Sequence, residues 1–273
     1  GRSLGTARCY FSTLNKIIDD AFAKGVLTVD PRMGVEKIKT AWLKKKFPFT
    51  PEEIELIEDA TDDELHRLVK IKRGTGLRIS EILALSDDQI DWTEGAEMLH
   101  VDRQLGTDDA HGTILKDPKS AKGDRVVPLS SWVVEALKEQ KKAAPPRPRA
   151  MTWVHRDKSV QTLTARLFFH DGDGNPRSYH EINKEWNAAI KAAGIEPRGE
   201  EGTGLHRLRH TFAGDLIQQG VDIYLVSRLL GHSTVRVTEE YYAHLRKKTL
   251  ETARQALDAL KPKHRHLSVV KSA

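Results

Sequence analysis

A mainly helical α+β fold with one small antiparallel sheet is predicted by three observations. Apolar residues recur at helical spacing along most of the chain, strand-like runs are confined to Met98–Leu129, and Gly, Pro and Asp gather between the periodic segments. The chain has 273 residues, 38% hydrophobic and 30% charged, which suits one sizeable core plus a smaller module. No apolar run approaches the roughly 20 residues that a membrane-spanning helix needs, and Gly1-Arg2-Ser3 lacks the apolar stretch of a secretory signal. A start without Met makes the chain read as a cut piece. The single cysteine, Cys9, excludes an internal disulfide framework and cannot build a thiolate metal site alone. A reducing, cytoplasmic setting fits this, as does a protein that simply uses few cysteines.

The elements follow in order. Residues 7–24 carry Phe11, Leu14, Ile17, Ile18, Ala21 and Phe22 at helical spacing, closed by Gly25 with Pro31 soon after. One such helix cannot bury its own face, so it either docks on the rest of the chain or, the reading favoured here, belongs to a module that begins elsewhere, and the lysine-rich piece Lys37–Lys46 reads as a linker. A second unit starts at Phe49. Thr50 is an N-cap, Pro51 takes the first helical position, Glu53 completes a capping box, and Phe49 can staple onto Ile54. After a turn at Gly74-Thr75-Gly76, a helix is expected over Ile79–Leu85. Strands are expected at Leu99–Val101, Thr113–Leu115 and Arg125–Leu129. A helix over Trp132–Lys142 precedes a proline loop at Ala143–Arg149, and helices follow at Asn183–Ala193, Leu205–Gln219, Asp222–Leu230 and Val235–Leu245. Leu250, Ala253, Leu257 and Leu260 mark one more amphipathic helix. The division expected is residues 1–46 and 47–273.

Forty-four Lys and Arg against 39 Asp and Glu give a net charge of +5, too small an excess to identify a partner. Its placement is more informative. Arg246–Lys271 holds eight basic residues and two acidic ones, and Lys44-Lys45-Lys46 and Lys141-Lys142 with Arg147 and Arg149 form two further basic stretches. Most such runs are solvated faces; beside a reactive centre they suit a polyanion.

In Leu205-His206-Arg207-Leu208-Arg209-His210, His206 and Arg209 stand three apart and share one helix edge. A guanidinium grips phosphate oxygens bidentately, and an imidazole exchanges protons near neutral pH. His206 and His210, four apart, could instead hold a metal, but Arg207 and Arg209 stand where a zinc-protease helix has its Glu. Singly, each residue has a bland reading: Arg78 as a partner of Glu81, Lys119 as a solvated hairpin lysine, Tyr242 as a core aromatic.

The ordered set is specific where its members are not. Thr75-Gly76-Leu77-Arg78-Ile79-Ser80-Glu81, then His206-Arg207-Leu208-Arg209, then Leu230-Gly231-His232, then Tyr241-Tyr242-Ala243-His244-Leu245 together resemble the tyrosine recombinase (phage integrase) family over residues 48–260. The resemblance implies the family's catalytic domain, preceded by the last helix of a truncated core-binding domain. It implies Arg78 and Arg209 as catalytic arginines, Glu81 as the acidic residue that orients the site, and His206 and His232 as the histidines. Asp117-Pro118-Lys119-Ser120-Ala121-Lys122 resembles the hairpin of the catalytic lysine, with Lys119 the better match and Lys122 the alternative. The nucleophile lies nine or ten residues after the box histidine, where Tyr241 and Tyr242 both qualify; Ala243-His244-Leu245 favours Tyr242.

The implied reaction is site-specific cutting and rejoining of DNA through a 3′-phosphotyrosine, with no metal, cofactor or ATP. The implied partners are double-stranded DNA with core-type sites, further copies forming a tetramer on synapsed DNA from monomers, and accessory DNA-bending proteins. A type IB topoisomerase or hairpin telomere resolvase would share this site. A reading from a different class is also open: Val221–Tyr242 read as helix, Gly turn, helix suits a helix-turn-helix regulator that binds DNA without cutting it.

Overall fold

The structure is a computed structural model that describes residues 4–34, 47–197 and 202–242, with Arg254. Two units are distinguished, Gly1–Lys44 and Lys45–Ala273. In the first, α1 (Leu4–Ala23) ends at Gly25, whose φ of +69° lets Val26 N–H turn back to the Ala21 carbonyl at 2.9 Å. Arg32 fastens the following turn, donating to Asp30 Oδ1 at 2.9 Å and reaching Asp19 Oδ1 at 2.8 Å. The expected linker at Lys37–Lys46 lies outside the described residues, as does the helix over Leu250–Leu260 except for Arg254, which is helical.

In the second unit, α2 (Pro51–Asp59) starts as its sequence dictates: Glu53 N–H donates to Thr50 Oγ1 at 3.2 Å, and Thr50 N–H to Glu53 Oε2 at 2.8 Å. Phe49 and Ile54 are both buried, in keeping with the staple. Next comes α3 (Asp63–Thr75), capped by Asp62 and ended by Gly76 in the left-handed region. Gly74 and Thr75 therefore belong to a helix, not to the expected turn. Gly74 is there because α5 (Ser131–Ala143) crosses α3 so closely that a Cβ would lie 2.2 Å from Val133 Cγ2. The helix expected over Ile79–Leu85 shortens to one turn, α4 (Ile79–Ile82).

Instead of one antiparallel sheet, the described residues form two sheets, one of them mixed. Strands β1 (Ile90–Asp91), β2 (Met98–Val101) and β5 (Arg125–Pro128) pair antiparallel in the order β1-β2-β5. The second sheet has the order β3-β4-β6-β7, from β3 (Gln104–Asp108), β4 (Gly112–Lys116), β6 (Pro148–Val154) and β7 (Val160–Arg166). Within it β4 and β6 run parallel, with Leu115 opposite Trp153. The proline loop is accordingly shorter than expected, since α5 runs to Ala143 and a strand begins at Pro148.

The helices that follow among the described residues are α6 (Tyr179–Ala192), α7 (His206–Gln218), α8 (Ile223–Leu230) and α9 (Val235–Tyr242), with Arg254 also helical. The main core gathers Leu68, Ile82, Leu99, Leu137, Phe168, Trp186 and Leu208; a second packs Phe212, Ile217, Val226, Leu230 and Tyr242. Thr211 and Arg207 of α7 pin the residues before α2. Phe49 N–H donates to Thr211 Oγ1 at 3.0 Å, and Arg207 Nε donates to the Phe47 carbonyl at 2.9 Å while stacking on the Phe49 ring. The buried face of α7 is thereby fixed, and with it the edge that carries His206 and Arg209. Among the described residues no helix is long and apolar enough to cross a membrane.

Candidate active site

The site is built on two glycines. Gly76 ends α3 at φ +64°, and its carbonyl accepts from Arg209 Nη1 at 2.7 Å. Gly231 ends α8 at φ +63°, leaving the last carbonyls of that helix without partners inside it. Three guanidiniums take three successive carbonyls there. Arg125 Nε donates to Leu229 at 2.7 Å, Arg209 Nη2 to Leu230, and Arg78 Nη2 to Gly231 at 3.5 Å. Cations at a helix C-terminus also meet the negative end of its dipole.

One carboxylate organises the arginines. Glu81 Oε1 accepts from Arg78 Nη1 at 2.8 Å, and Glu81 Oε2 from the Arg78 N–H at 2.8 Å. The same carboxylate accepts from Arg125 Nη1 at 3.1 Å and Nη2 at 2.9 Å. Burial would raise the Glu81 carboxyl, but the Arg125 hydrogen bonds and the charges of Arg125, Arg78 and Arg209 outweigh it and hold it at about 2. Arg209, buried, is pulled down to about 9 by desolvation and then by the like charge of Arg78, and stays a cation at neutral pH. With one carboxylate among three guanidiniums, the cluster keeps a positive excess suited to an anion.

The histidines and tyrosines lie beside it. His232, directly after Gly231, shares a 2.8 Å hydrogen bond between Nδ1 and Thr238 Oγ1, which fixes its ring. Burial, followed by Arg209 and Arg78, keeps its pKa below the usual histidine range. His206 opens α7 with one side open to solvent, its ring edge-on to His210 with centroids 4.9 Å apart. Its pKa is also lowered, by desolvation within the cleft and then by His210, Lys72 and Arg209. Tyr242 is buried at 1% exposure, its hydroxyl in hydrogen-bond contact with His210 Nδ1. Tyr241 is half-buried, its ring 6.3 Å from that of Tyr242.

The structure thus brings together Arg78, Glu81, His206, Arg209, His232 and Tyr242, the groups singled out from sequence, save the lysine. Lys119 is exposed; it is Lys122 that reaches the histidine box, donating from Nζ to the Ser233 carbonyl at 2.8 Å. Beside Tyr242 stands His210, considered from sequence only as a metal ligand, and not His206. Sequence reasoning also passed over Arg125 and Lys72. Both were detectable. Arg125 shares strand parity with the inward Val127, and Lys72 follows Leu65, Leu68 and Val69 on the apolar face of α3. A charge at a core position is the informative exception.

Residues 48–249 match the profile described as the phage integrase family. The prophage integrase IntR of Escherichia coli (strain K12) is 29% identical over 89% of this chain and 58% of its own length. The tyrosine recombinase XerC of Thermodesulfovibrio yellowstonii is 24% identical over 88% of this chain and 72% of its own. This chain thus spans less than two thirds of the first relative and somewhat more of the second. Among solved structures, the Tn1549 transposon integrase in complex with a circular intermediate DNA matches with a TM-score of 0.71 at 23% identity, covering 95% of this chain and 80% of that one. XerH recombinase bound to a difH substrate after cleavage gives 0.53 at 24% identity, covering 79% and 54%. At these identities the likeness to solved structures speaks for a common fold.

Proposed function

The chain belongs to the phage integrase family, and from that premise we propose that it cuts and rejoins DNA site-specifically, with Tyr242 as nucleophile. The observation that carries the reading is the Tyr242 hydroxyl, which touches His210 in a cluster of guanidiniums anchored on the end of α8. The phenolic oxygen attacks the scissile phosphorus, a 3′-phosphotyrosine forms, and the bond to the 5′-oxygen breaks. A second 5′-hydroxyl then attacks the phosphotyrosine and releases the tyrosine, so no external energy source is consumed.

Each side chain has a task in that sequence. A phenol of pKa near 10 is roughly a thousandth ionised at neutral pH, so its proton must be removed as attack proceeds. His206 is assigned this role, and His210 holds the hydroxyl before DNA arrives. Arg78 and Arg209 grip the non-bridging oxygens, and His232 adds a hydrogen bond through the nitrogen that Thr238 does not occupy. Proton delivery to the departing 5′-oxygen falls to Lys119 by its motif or to Lys122 by its place beside Ser233. DNA carrying core-type sites is the substrate, and assembly as a tetramer on synapsed DNA, with accessory DNA-bending proteins, completes the reading. Residues 1–46 are assigned to the end of a core-binding domain and the remainder to the catalytic domain.

The test is incubation with nicked suicide duplexes made from the terminal repeats of the encoding element, followed by denaturing electrophoresis. Tyr242→Phe should abolish the covalent adduct while Tyr241→Phe retains it; the reverse pattern overturns the assignment. DNA binding by the wild-type chain without any adduct would return the reading to a non-catalytic helix-turn-helix regulator.

A further inference from the structure

The arginine box, the lysine-bearing connection between β4 and β5 and the histidine box come from distant stretches of chain, and one side chain touches all three. Arg125 opens β5 facing inward, where it is almost fully buried. Its two terminal nitrogens donate to the two oxygens of Glu81, which in turn holds Arg78. Its Nε donates to Leu229 in the last turn of α8, three residues before His232. Nη1 also donates to the Gly123 carbonyl at 2.9 Å, next to Lys122 in a 3-10 turn that joins β4 to β5 of the other sheet and so is not the hairpin expected there. All three guanidinium nitrogens are therefore engaged, each with at least one partner on another segment. The packing is equally close at Gly231, where a Cβ would lie 3.0 Å from Arg125 Nη1 and 3.2 Å from the Lys122 carbonyl.

We propose that Arg125 is a positioning residue for strand transfer, one that sets Arg78, Lys122 and His232 at fixed separations without itself touching the scissile phosphate. The proposal rests on the recombinase function above. Its physical basis is the shape of the guanidinium: a planar fork can span both oxygens of one carboxylate while Nε points to a third segment, and an ammonium cannot. Because Glu81 lies between Arg125 and Arg78, loss of the first guanidinium frees the carboxylate to turn and the second to follow it. A misplacement of about 1 Å in such a constellation costs on the order of 100-fold in rate.

Arg125→Lys and Arg125→Gln in the full chain test this, with the nicked duplex above and with ¹⁵N spectra of the arginine side chains in DNA-free protein. Both variants should bind the duplex with wild-type affinity, yet form the adduct on the order of 100-fold more slowly in single turnover, with Arg125→Lys restoring only part of the rate. The Arg78 Nε–H resonance should shift and broaden in both. Should Arg125→Gln fail to fold, Arg125→Lys carries both measurements alone. Wild-type adduct rates, equal losses of affinity and rate, or an unmoved Arg78 resonance would each overturn the proposal. If the wild-type chain forms no adduct at all, the recombinase reading fails, and the Arg78 resonance still decides whether Arg125 holds that guanidinium.

Discussion

Burial strips the Lys72 ammonium of water, and the Leu77 carbonyl, 2.5 Å from Nζ, is the partner that replaces it. Desolvation, then the charges of Arg209 and Arg78 against that of Glu81, bring its pKa down to about 7 from 10.5. Between those values the unfolded chain binds a proton that the folded one does not, so folding stability rises with pH across this window, and below it the penalty is fully present. Lys72→Met should flatten that slope. Chemical denaturation at pH values from 6 to 10.5 should show the variant ahead of wild type at the acid end, by on the order of 2 kcal/mol, and losing its lead toward the alkaline end. Parallel pH curves for the two proteins would show that Lys72 keeps its proton in both states. Lys72 lies one helical turn before Gly76, so the charge sits directly beneath the turn that presents Arg78.

Helix ends, more than helix bodies, position the chemistry. Gly76 combines a left-handed backbone with a contact that tolerates no side chain: a Cβ there would fall 2.4 Å from Phe212 Cδ1. Gly76→Ala should therefore lower stability by about 2 kcal/mol or more, read as a shift of the urea midpoint, and an unchanged midpoint would mean that Phe212 swings aside freely. Such ends were legible in the sequence because capping has a local grammar: Thr50 with Glu53, and Gly231 after Leu230, sit where side-chain chemistry alone places them. The β6–β7 hairpin was not legible, for an equally local reason. Its turn contains neither Asn-Gly nor any glycine. Lys158 takes φ +69° itself, and Asp157 Oδ1 steadies the turn by accepting from Ser159 N–H at 2.9 Å and Oγ at 2.6 Å. The parallel pairing of β4 with β6 joins segments separated by α5, and no short-range pattern encodes such a partner. The order of Arg78, His206, Arg209, His232 and Tyr242 could be read along the chain; the bridge through Arg125 could not, because it exists only once β5 and α8 have met.

At the scale of the molecule, the modest charge of +5 understates what a phosphate would meet, because Arg78, held by Glu81, and Arg209, held on the Gly76 and Leu230 carbonyls, stand together. Association with duplex DNA should accordingly be salt-sensitive, weakening by on the order of 10³-fold between about 50 and 200 mM salt, as several neutralised phosphates require. A gel-shift titration that stays flat over that range would speak against a phosphate-gripping cleft. The five tyrosines of the chain differ just as widely in their access to solvent. Tyr10, Tyr179 and Tyr224 are 58%, 55% and 62% exposed, whereas Tyr242 is enclosed with its hydroxyl on His210. Tetranitromethane should nitrate the first three readily and Tyr242 only when the cleft opens, as peptide mass mapping would reveal; early nitration of Tyr242 would contradict its enclosure. The enclosed phenol thereby becomes a clock. The rate at which its ring takes up a nitro group reports how often the protein uncovers Tyr242, and whether a given duplex hastens that exposure, before any product of recombination has been seen.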